Sequence, residues 1–173
     1  ARRDSPNQRV TKFQVDWNPG SQQTGNSINA WAQVDDGRIF IGNTTADQKK
    51  VMNYFSEPVA ARVIRIYPKE YHWHISMRVG LLVRKRSHEI FKNWPNATSK
   101  YTYSRVHADD SNGTGHGRGQ LNSPQAWSTW TSNPTNQWMQ IDVGTGKEIL
   151  GVLTQGRRNY RQHVTKFEVK VSS

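Results

Sequence analysis

Apolar residues return at every second position in runs between residues 127 and 171, and polar segments bearing Gly, Asn and Pro separate those runs. In Gln137-Trp138-Met139-Gln140-Ile141-Asp142-Val143 one face is Met139, Ile141 and Val143. Residues 149–153 are almost continuously apolar, as expected of a strand covered on both faces. From 164 to 171 Thr165, Phe167, Val169 and Val171 alternate with Val164, Lys166, Glu168 and Lys170. A two-residue period places side chains on opposite faces of an extended chain and scatters them around a helix, so this pattern predicts antiparallel β structure. The connections at 131–136 and 157–163 are long and polar, and loops held by a rigid sheet are where binding residues usually sit.

Similar short runs occupy the earlier part of the chain. Strands are expected at 31–34 and 38–41, joined by a hairpin turn at Asp35-Asp36-Gly37. Residues 45–54 read as a loop leading into a central strand of Val63, Ile64, Ile66 and Tyr67, ended by Pro68. A further strand is expected at 75–83, and residues 84–100, basic and then mixed, break the pattern. Trp31, Phe55, Trp127 and Trp138 are expected in the core. One internal repeat is visible: residues 2–16 (RRDSPNQRVTKFQVD) nearly duplicate 157–170 (RRNYRQHVTKFEVK), with an identical Val-Thr-Lys-Phe. Two copies of one strand compete for one place, so one of them is expected on a sheet edge or exchanged into a neighbouring molecule, giving a homo-oligomer by strand exchange.

The blocks AWS, NPTNQWMQIDVG, ILGVLTQGR and VTKFEVKVS resemble, in order and spacing, the opening half of a discoidin domain, the module found at the end of coagulation factors five and eight. Trp31–Asp35, Phe40–Asn43, Phe55, Pro58, ARVIRIYP (61–68) and HISMRVGLLV (74–83) resemble its closing half, which here comes first. The resemblance implies an all-β fold, a discoidin-like jelly-roll β-sandwich or barrel with long loops at one end. It implies one domain over 1–173 in permuted order: 10–86 as the closing half, 87–100 as a linker and 101–173 as the opening half. Adjacent termini make such permutation tolerable; a slice across two tandem modules is the alternative. The family also places a buried structural arginine at the position of Arg78.

A chain of 173 residues is enough for one domain with a core. It contains no Cys, so the disulfide that often ties the family's ends is absent. Lys and Arg number 24 against 13 Asp and Glu, a net charge of +11 that favours polyanionic partners. No Cys nucleophile, no serine elbow and no paired carboxylates are found, and the chain is not expected to be an enzyme. Sequons at Asn43, Asn96 and Asn112, a first residue other than Met, and the basic run Arg84-Lys85-Arg86 fit a processed, secreted, extracellular glycoprotein.

In the discoidin family the ligand surface is a set of loops at one end of the barrel. By resemblance these loops are 106–121, 130–137 and 157–163, with 2–9 as a duplicate of the last. Membrane-binding relatives carry large apolar residues there. Here the loops offer only Trp130, and Tyr160 among arginines, so membrane insertion is not expected. The remaining residues suit sugar: Arg as a rigid fork of donors, Asp and Asn as acceptors, and Trp as an apolar plate. The ligand-binding candidates are Arg157, Arg158, Asn159, Arg2, Asp4, Arg9, His107 and Trp130. Arg157-Arg158-Asn159 resembles a loop of the lectin branch, and Arg2, Asp4 and Arg9 fit the Arg-x-Asp-x4-Arg pattern of fucose-binding relatives, with His107 or His116 as the accompanying histidine. The same residues can instead shape the loops and pair with one another. Asp109, Asp110 and Asn112 form either a calcium site or a solvated acidic turn. His72 and His74 lack a third zinc ligand and are expected to pack or to line the rim. The function expected is a secreted, carbohydrate-binding adhesion module acting on glycans or glycoproteins. Its rivals are a basic adhesion module for sulfated glycans or other anionic polymers and acidic surfaces, and a phosphatidylserine-binding module. Nucleic acid is not expected as a partner.

Overall fold

The computed structural model describes residues 9–10, 31–45, 48–84, 90–94 and 101–172. Their strands are β1 (Arg9–Val10), β2 (Ala32–Gln33), β3 (Phe40–Ile41), β4 (Val51–His72), β5 (Ser76–Arg84), β6 (Ile90–Trp94), β7 (Tyr101–Tyr103), β8 (Trp127–Ser128), β9 (Met139–Gln155) and β10 (His163–Ser172). They form a curled antiparallel sheet of order β3-β10-β4-β9-β5-β6, with β1 added to β4, β7 to β9 and β8 to β5. This is the antiparallel β structure that the period-two runs predict and the all-β, discoidin-like architecture that the resemblance implies.

β4 and β9 are the spine of the sheet. Ile64 lies opposite Ile141 and Ile66 opposite Met139, and all are fully buried. The first part of the sequence, through β4 and β5, is thus hydrogen-bonded to the second, through β9 and β10. One core collects Phe55, Ile64, Ile66, Val79, Leu81, Trp127, Ile141, Val152, Phe167 and Val169. A smaller cluster of Leu82, Leu121, Leu150 and Leu153 fills the other side of β5 and β9. That second cluster explains the unbroken apolar run at 149–153: Ile149 and Val152 face the main core, while Leu150 and Leu153 face the small one. Between them stands Gly151, where a Cβ would meet the carbonyl oxygen of Asn53 at 2.1 Å, so β4 and β9 approach this closely only over glycine.

Several elements differ from the sequence expectation. β4 runs on through Pro68 to His72. Its partner β10 is irregular between Val164 and Phe167, next to the pairing of Pro68 with Phe167, and proline is accepted in a sheet where bulging relieves the ladder. Residues 137–143 and 149–153 are not separate strands; β9 joins them through a register shift, with Asp142 opposite Val63 but Lys147 opposite Ala61. The expected 31–41 hairpin is replaced by a 3-10 turn over Val34–Gly37, and β3 pairs with β10. Asp35 and Asp36 take left-handed φ values of 51° and 52°, and the Asp35 carboxylate holds the turn to the sheet by accepting from the Ser56 N–H at 3.0 and 3.1 Å. Residues 90–94 form β6 beside β5. Trp127 and Phe55 are core as expected, whereas Trp31 and Trp138 are only half-buried. Trp138 immediately precedes the inward Met139, so the alternation turns its indole to the outer face.

The duplicated strand is described only at Arg9–Val10. These residues pair with the same end of β4 that takes the beginning of β10: Arg9 and His163 both lie opposite His72. The remainder of the duplicate, with Arg2 and Asp4, lies outside the described residues, as do 95–100 of the expected linker.

Because Ile64 and Ile141 bind the two parts of the sequence in one core, replacing either by Ala is expected to cost about 2–5 kcal/mol. Denaturant unfolding followed by both tryptophan fluorescence and circular dichroism should show one transition that moves as a unit. The double substitution should be less than additive, since the residues are in contact. Two separate transitions, only one of them shifted, would contradict a shared core.

Candidate functional site

The turns that leave β4, β8 and β9, with the glycine-rich loop before β8, gather at one end of the sheet, and a buried arginine binds several of them together. Arg78 on β5 is 1 % exposed. Its Nε and Nη2 donate to the Gly156 carbonyl, Nη1 donates to the Ser123 carbonyl at 2.8 Å, and Nη2 also reaches Oε1 of Gln48. Burial, and then the charge of Arg158, lower its pKa to about 10, so it stays protonated at neutral pH. Among the described residues it has no carboxylate partner; carbonyl and amide oxygens alone satisfy it. Gln48 passes the restraint on, its Nε2 donating to the carbonyls of Arg157 and Arg158 at 2.6 and 2.8 Å.

Arg157 opens the β9–β10 loop. Its N–H donates to the Gln162 carbonyl at 2.8 Å, its Nη1 to Gln162 Oε1 at 2.7 Å, and its Nε to Gln125 Oε1. The guanidinium carbon sits 4.0 Å from the centre of the Tyr160 ring. Nη2 has no protein acceptor among the described residues, so a charged donor remains for a ligand. Arg158, Asn159, Tyr160 and Arg161 are exposed beside it. Gln162 is itself fixed by the Ser76 hydroxyl, which donates to its Oε1 at 3.2 Å.

An aromatic plate stands in the neighbouring loops. Trp130 is 59 % exposed, and its ring stacks on His107 with centroids 4.3 Å apart and planes within 17°. His107 also contacts the His116 ring at 4.5 Å. Asp110 fixes His116 by accepting from its backbone N–H at 2.7 Å and facing Nδ1 at 2.8 Å. Those His116 bonds hold the Asp110 carboxyl below the usual carboxylate range. Burial lowers the His107 pKa, and the nearby His116, His74 and Arg157 add to that effect, partly offset by Asp110. His107 is therefore a neutral, flat support for the indole, and Arg157 is near enough for its charge to be felt there.

Of the sequence-derived candidates, the structure brings His107 and Trp130 into contact and places Arg157 close by. Arg158 and Asn159 share the Arg157 loop. Arg9 is seen only as part of β1, and Arg2 and Asp4 lie outside the described residues. Gln48, Gln125 and Gln162 were not among the candidates; they position the arginines through bonds spanning up to 110 residues, for which no local sequence pattern exists. His72 and His74 do not assemble a zinc set; His72 instead stacks on His163 at 5.2 Å. Among the described residues no group of three or more His, Asp or Glu side chains is arranged to hold a metal ion. For calcium, Oδ2 of Asp110 is occupied by His116, the Asn112 amide donates to the Tyr101 carbonyl, and Arg118 brings a guanidinium to the Gly113 carbonyl. Calcium takes six to eight oxygens, and these residues do not present that shell in this arrangement. Asn43 is 3 % exposed and its amide nitrogen donates to the Lys49 carbonyl, so the folded domain does not present that sequon.

This loop-crowned sheet has the discoidin-like fold, and the comparisons agree with that fold. Residues 96–173 match the F5/8 type C domain family. It is similar to lactadherin of Rattus norvegicus, 28 % identical over 144 residues that cover 75 % of this chain and 33 % of that protein. It is likewise similar to neuropilin-2 of Rattus norvegicus, 29 % identical with 78 % of this chain and 16 % of that protein covered. For coagulation factor VIII of Homo sapiens the identity is 27 %, with 78 % of this chain and 6 % of that protein covered. The chain thus spans about a third of the length of the lactadherins it matches. No solved structure matches it.

Replacing Arg78 by Met leaves the Gly156 and Ser123 carbonyls without donors. Each stranded buried group costs roughly 1–3 kcal/mol, so a loss of several kcal/mol in chemical denaturation is expected. Heightened amide exchange should appear in 156–162. A separate expectation concerns pH. The folded pKa of His107 lies below its unfolded value, so the stability it contributes is complete above the ordinary imidazole range. That stability is lost as pH falls through this range, because the unfolded chain takes up the proton first. Melting temperatures of wild type and His107→Phe, followed from pH 7.5 to 5.5, should show a shallower decline for the variant.

Proposed function

We propose that the chain is an extracellular, lectin-like adhesion module that binds a neutral glycan at the loop end of the sheet. The observation that carries this reading is the exposed Trp130 indole, backed by His107, together with an Arg157 guanidinium whose charge acts on His107 and whose orientation is fixed by Gln125, Gln162 and Tyr160 while one of its nitrogens stays uncommitted. Sugar recognition needs an apolar plate for the C–H face of the ring and pre-set donors for its hydroxyls, and both are present. Arg158 and Asn159 extend the donor and acceptor set on the same loop. The described loops offer a membrane only Trp130 and Tyr160 as large exposed apolar groups, which argues against deep lipid insertion. The names of the relatives agree with adhesion at the level of lactadherin's own name. The reversed order of the discoidin halves is read, with this function, as permutation of a single module.

A glycan array read in low and physiological salt separates this function from its charged rival. Directional hydrogen bonds to hydroxyls release no counterion layer, so affinity for a galactose- or fucose-type glycan should change little with salt, whereas polyanion binding falls steeply. Arg157→Ala should abolish neutral-glycan binding. Trp130→Ala, at an exposed site that spares folding, should weaken it by at least about tenfold, the equivalent of about 1.4 kcal/mol. Neutral sugars ignored by a folded wild type, with heparin bound in a salt-dependent manner, would refute the lectin reading.

A further inference from the structure

The outer face of β10, β4 and β9 carries a group of residues that the loop site does not use. At its centre is Arg65. Its guanidinium carbon lies 4.1 Å from the centre of the Trp31 ring and 4.3 Å from that of Trp138, so an indole covers each contact. Its Nε donates to Gln140 Oε1 at 2.7 Å. Tyr67 lies two positions along the same face, with Lys170 Nζ 4.9 Å above its ring. Trp31, Arg65, Tyr67, Trp138 and Lys170 are all partly exposed.

Arg65 differs from the other cations of this face. Arg62 pairs with Asp142 at 3.5 Å, Lys69 with Glu168 at 2.5 Å, Lys166 with Glu70 at 3.2 Å and Lys170 with Glu168 at 3.7 Å. Among the described residues Arg65 meets no carboxylate; besides Gln140 it donates to the Tyr67 hydroxyl, and the other donors of its terminal nitrogens meet no further acceptor among those residues. Stacking removes water from the flat faces of a guanidinium and leaves its donors in the plane, at the edge. A planar cation prepared in this way fits a bidentate anionic acceptor such as a carboxylate or sulfate. Two further facts point to a chain of sugars as the bearer. The indoles and Tyr67 offer apolar surface beside the charge, as pyranose rings require. The protein's net charge of +11 attracts a polymer of negative charge.

We propose that the Trp31–Arg65–Trp138 stack is an anion subsite for a sulfated or uronic-acid-bearing glycan chain, separate from the loop site. Arg65 stands seven positions before His72 on β4, where the loops begin, a span of roughly 20 Å at the rise of a strand. One domain then has a neutral-sugar site at its loops and an acidic-sugar site on its side.

The test uses a heparin-derived oligosaccharide as probe, with isothermal titration of wild type, Arg65→Gln and Arg65→Lys, and a melting curve for each. Arg65→Gln should weaken heparin binding by about tenfold, the usual scale of a lost charged hydrogen-bond pair, and Arg65→Lys should recover little of it because a point charge lacks the fork. Binding of a neutral glycan should be unchanged in both, while Trp130→Ala should leave heparin affinity intact. Undiminished heparin affinity in folded Arg65 variants would overturn the proposal. So would a loss that tracks a fall in melting temperature and is matched by loss of neutral-glycan binding, which would make the stack purely structural. Equal competition by inorganic sulfate at matched sulfate concentration would reduce the site to one for small anions and overturn the glycan assignment. A wild type that binds heparin through Arg65 but no neutral glycan would sink the loop reading alone.

Discussion

The arrangement of the loops depends on a buried cation that meets no anion among the described residues. Arg78 sits in the sheet with carbonyl and amide oxygens around it, and those oxygens belong to segments far apart in sequence. A carboxylate partner would neutralise the charge with one contact. Without one, the guanidinium needs several oxygen dipoles at once, and each dipole is a piece of loop backbone or a side chain that must come to it. The charge therefore gathers the loops, and Gln48 carries the constraint from Arg78 to the carbonyls of Arg157 and Arg158.

Two other charges are arranged differently on the outer sheet. Glu168 is 1 % exposed on the nominally polar face of β10, and Lys69 and Lys170 stand over it. Arg65 has aromatic faces in place of acids. A basic protein can thus hold arginine in three environments: oxygen dipoles for Arg78, indole rings for Arg65, and a carboxylate for Arg62. Only the last neutralises the charge locally. The first two leave the charge free to act on a ligand or on neighbouring groups.

Period-two patterning in the sequence was enough to identify the β class, the inward residues 139, 141 and 143 of β9 and those of β10 from Phe167 onward; Val164, which the pattern grouped with Lys166, Glu168 and Lys170, is instead in the core, beside the register shifts of β10. The pattern did not show the length of β4, since Pro68 reads as a stop until the irregularity in β10 beside it is known. Nor did it place Trp31 and Trp138, because large aromatic residues suit both a core and a cation-bearing surface. At the candidate site, Trp130 stood out by residue type, whereas His107 and Arg157 were candidates by resemblance to sugar-binding relatives. The glutamines that aim Arg157 were hidden, for their role exists only once Gln125 and Gln162 have been folded against it. Family resemblance reached the same loops by order of motifs; the side-chain contacts were needed to see which members act together.

The pairing of β4 has a consequence for the birth of the protein. Val51 meets Thr154 and Ile66 meets Met139, so β4, the longest of the described strands, has its main partners roughly 70–100 residues later in the sequence. On a ribosome, β4 and β5 emerge well before those partners do. Their apolar faces must wait, exposed, until most of the chain has been made, and closing so distant a contact carries a large entropic barrier. A chain of this topology should fold late and as a unit, and its first half should engage chaperones during synthesis.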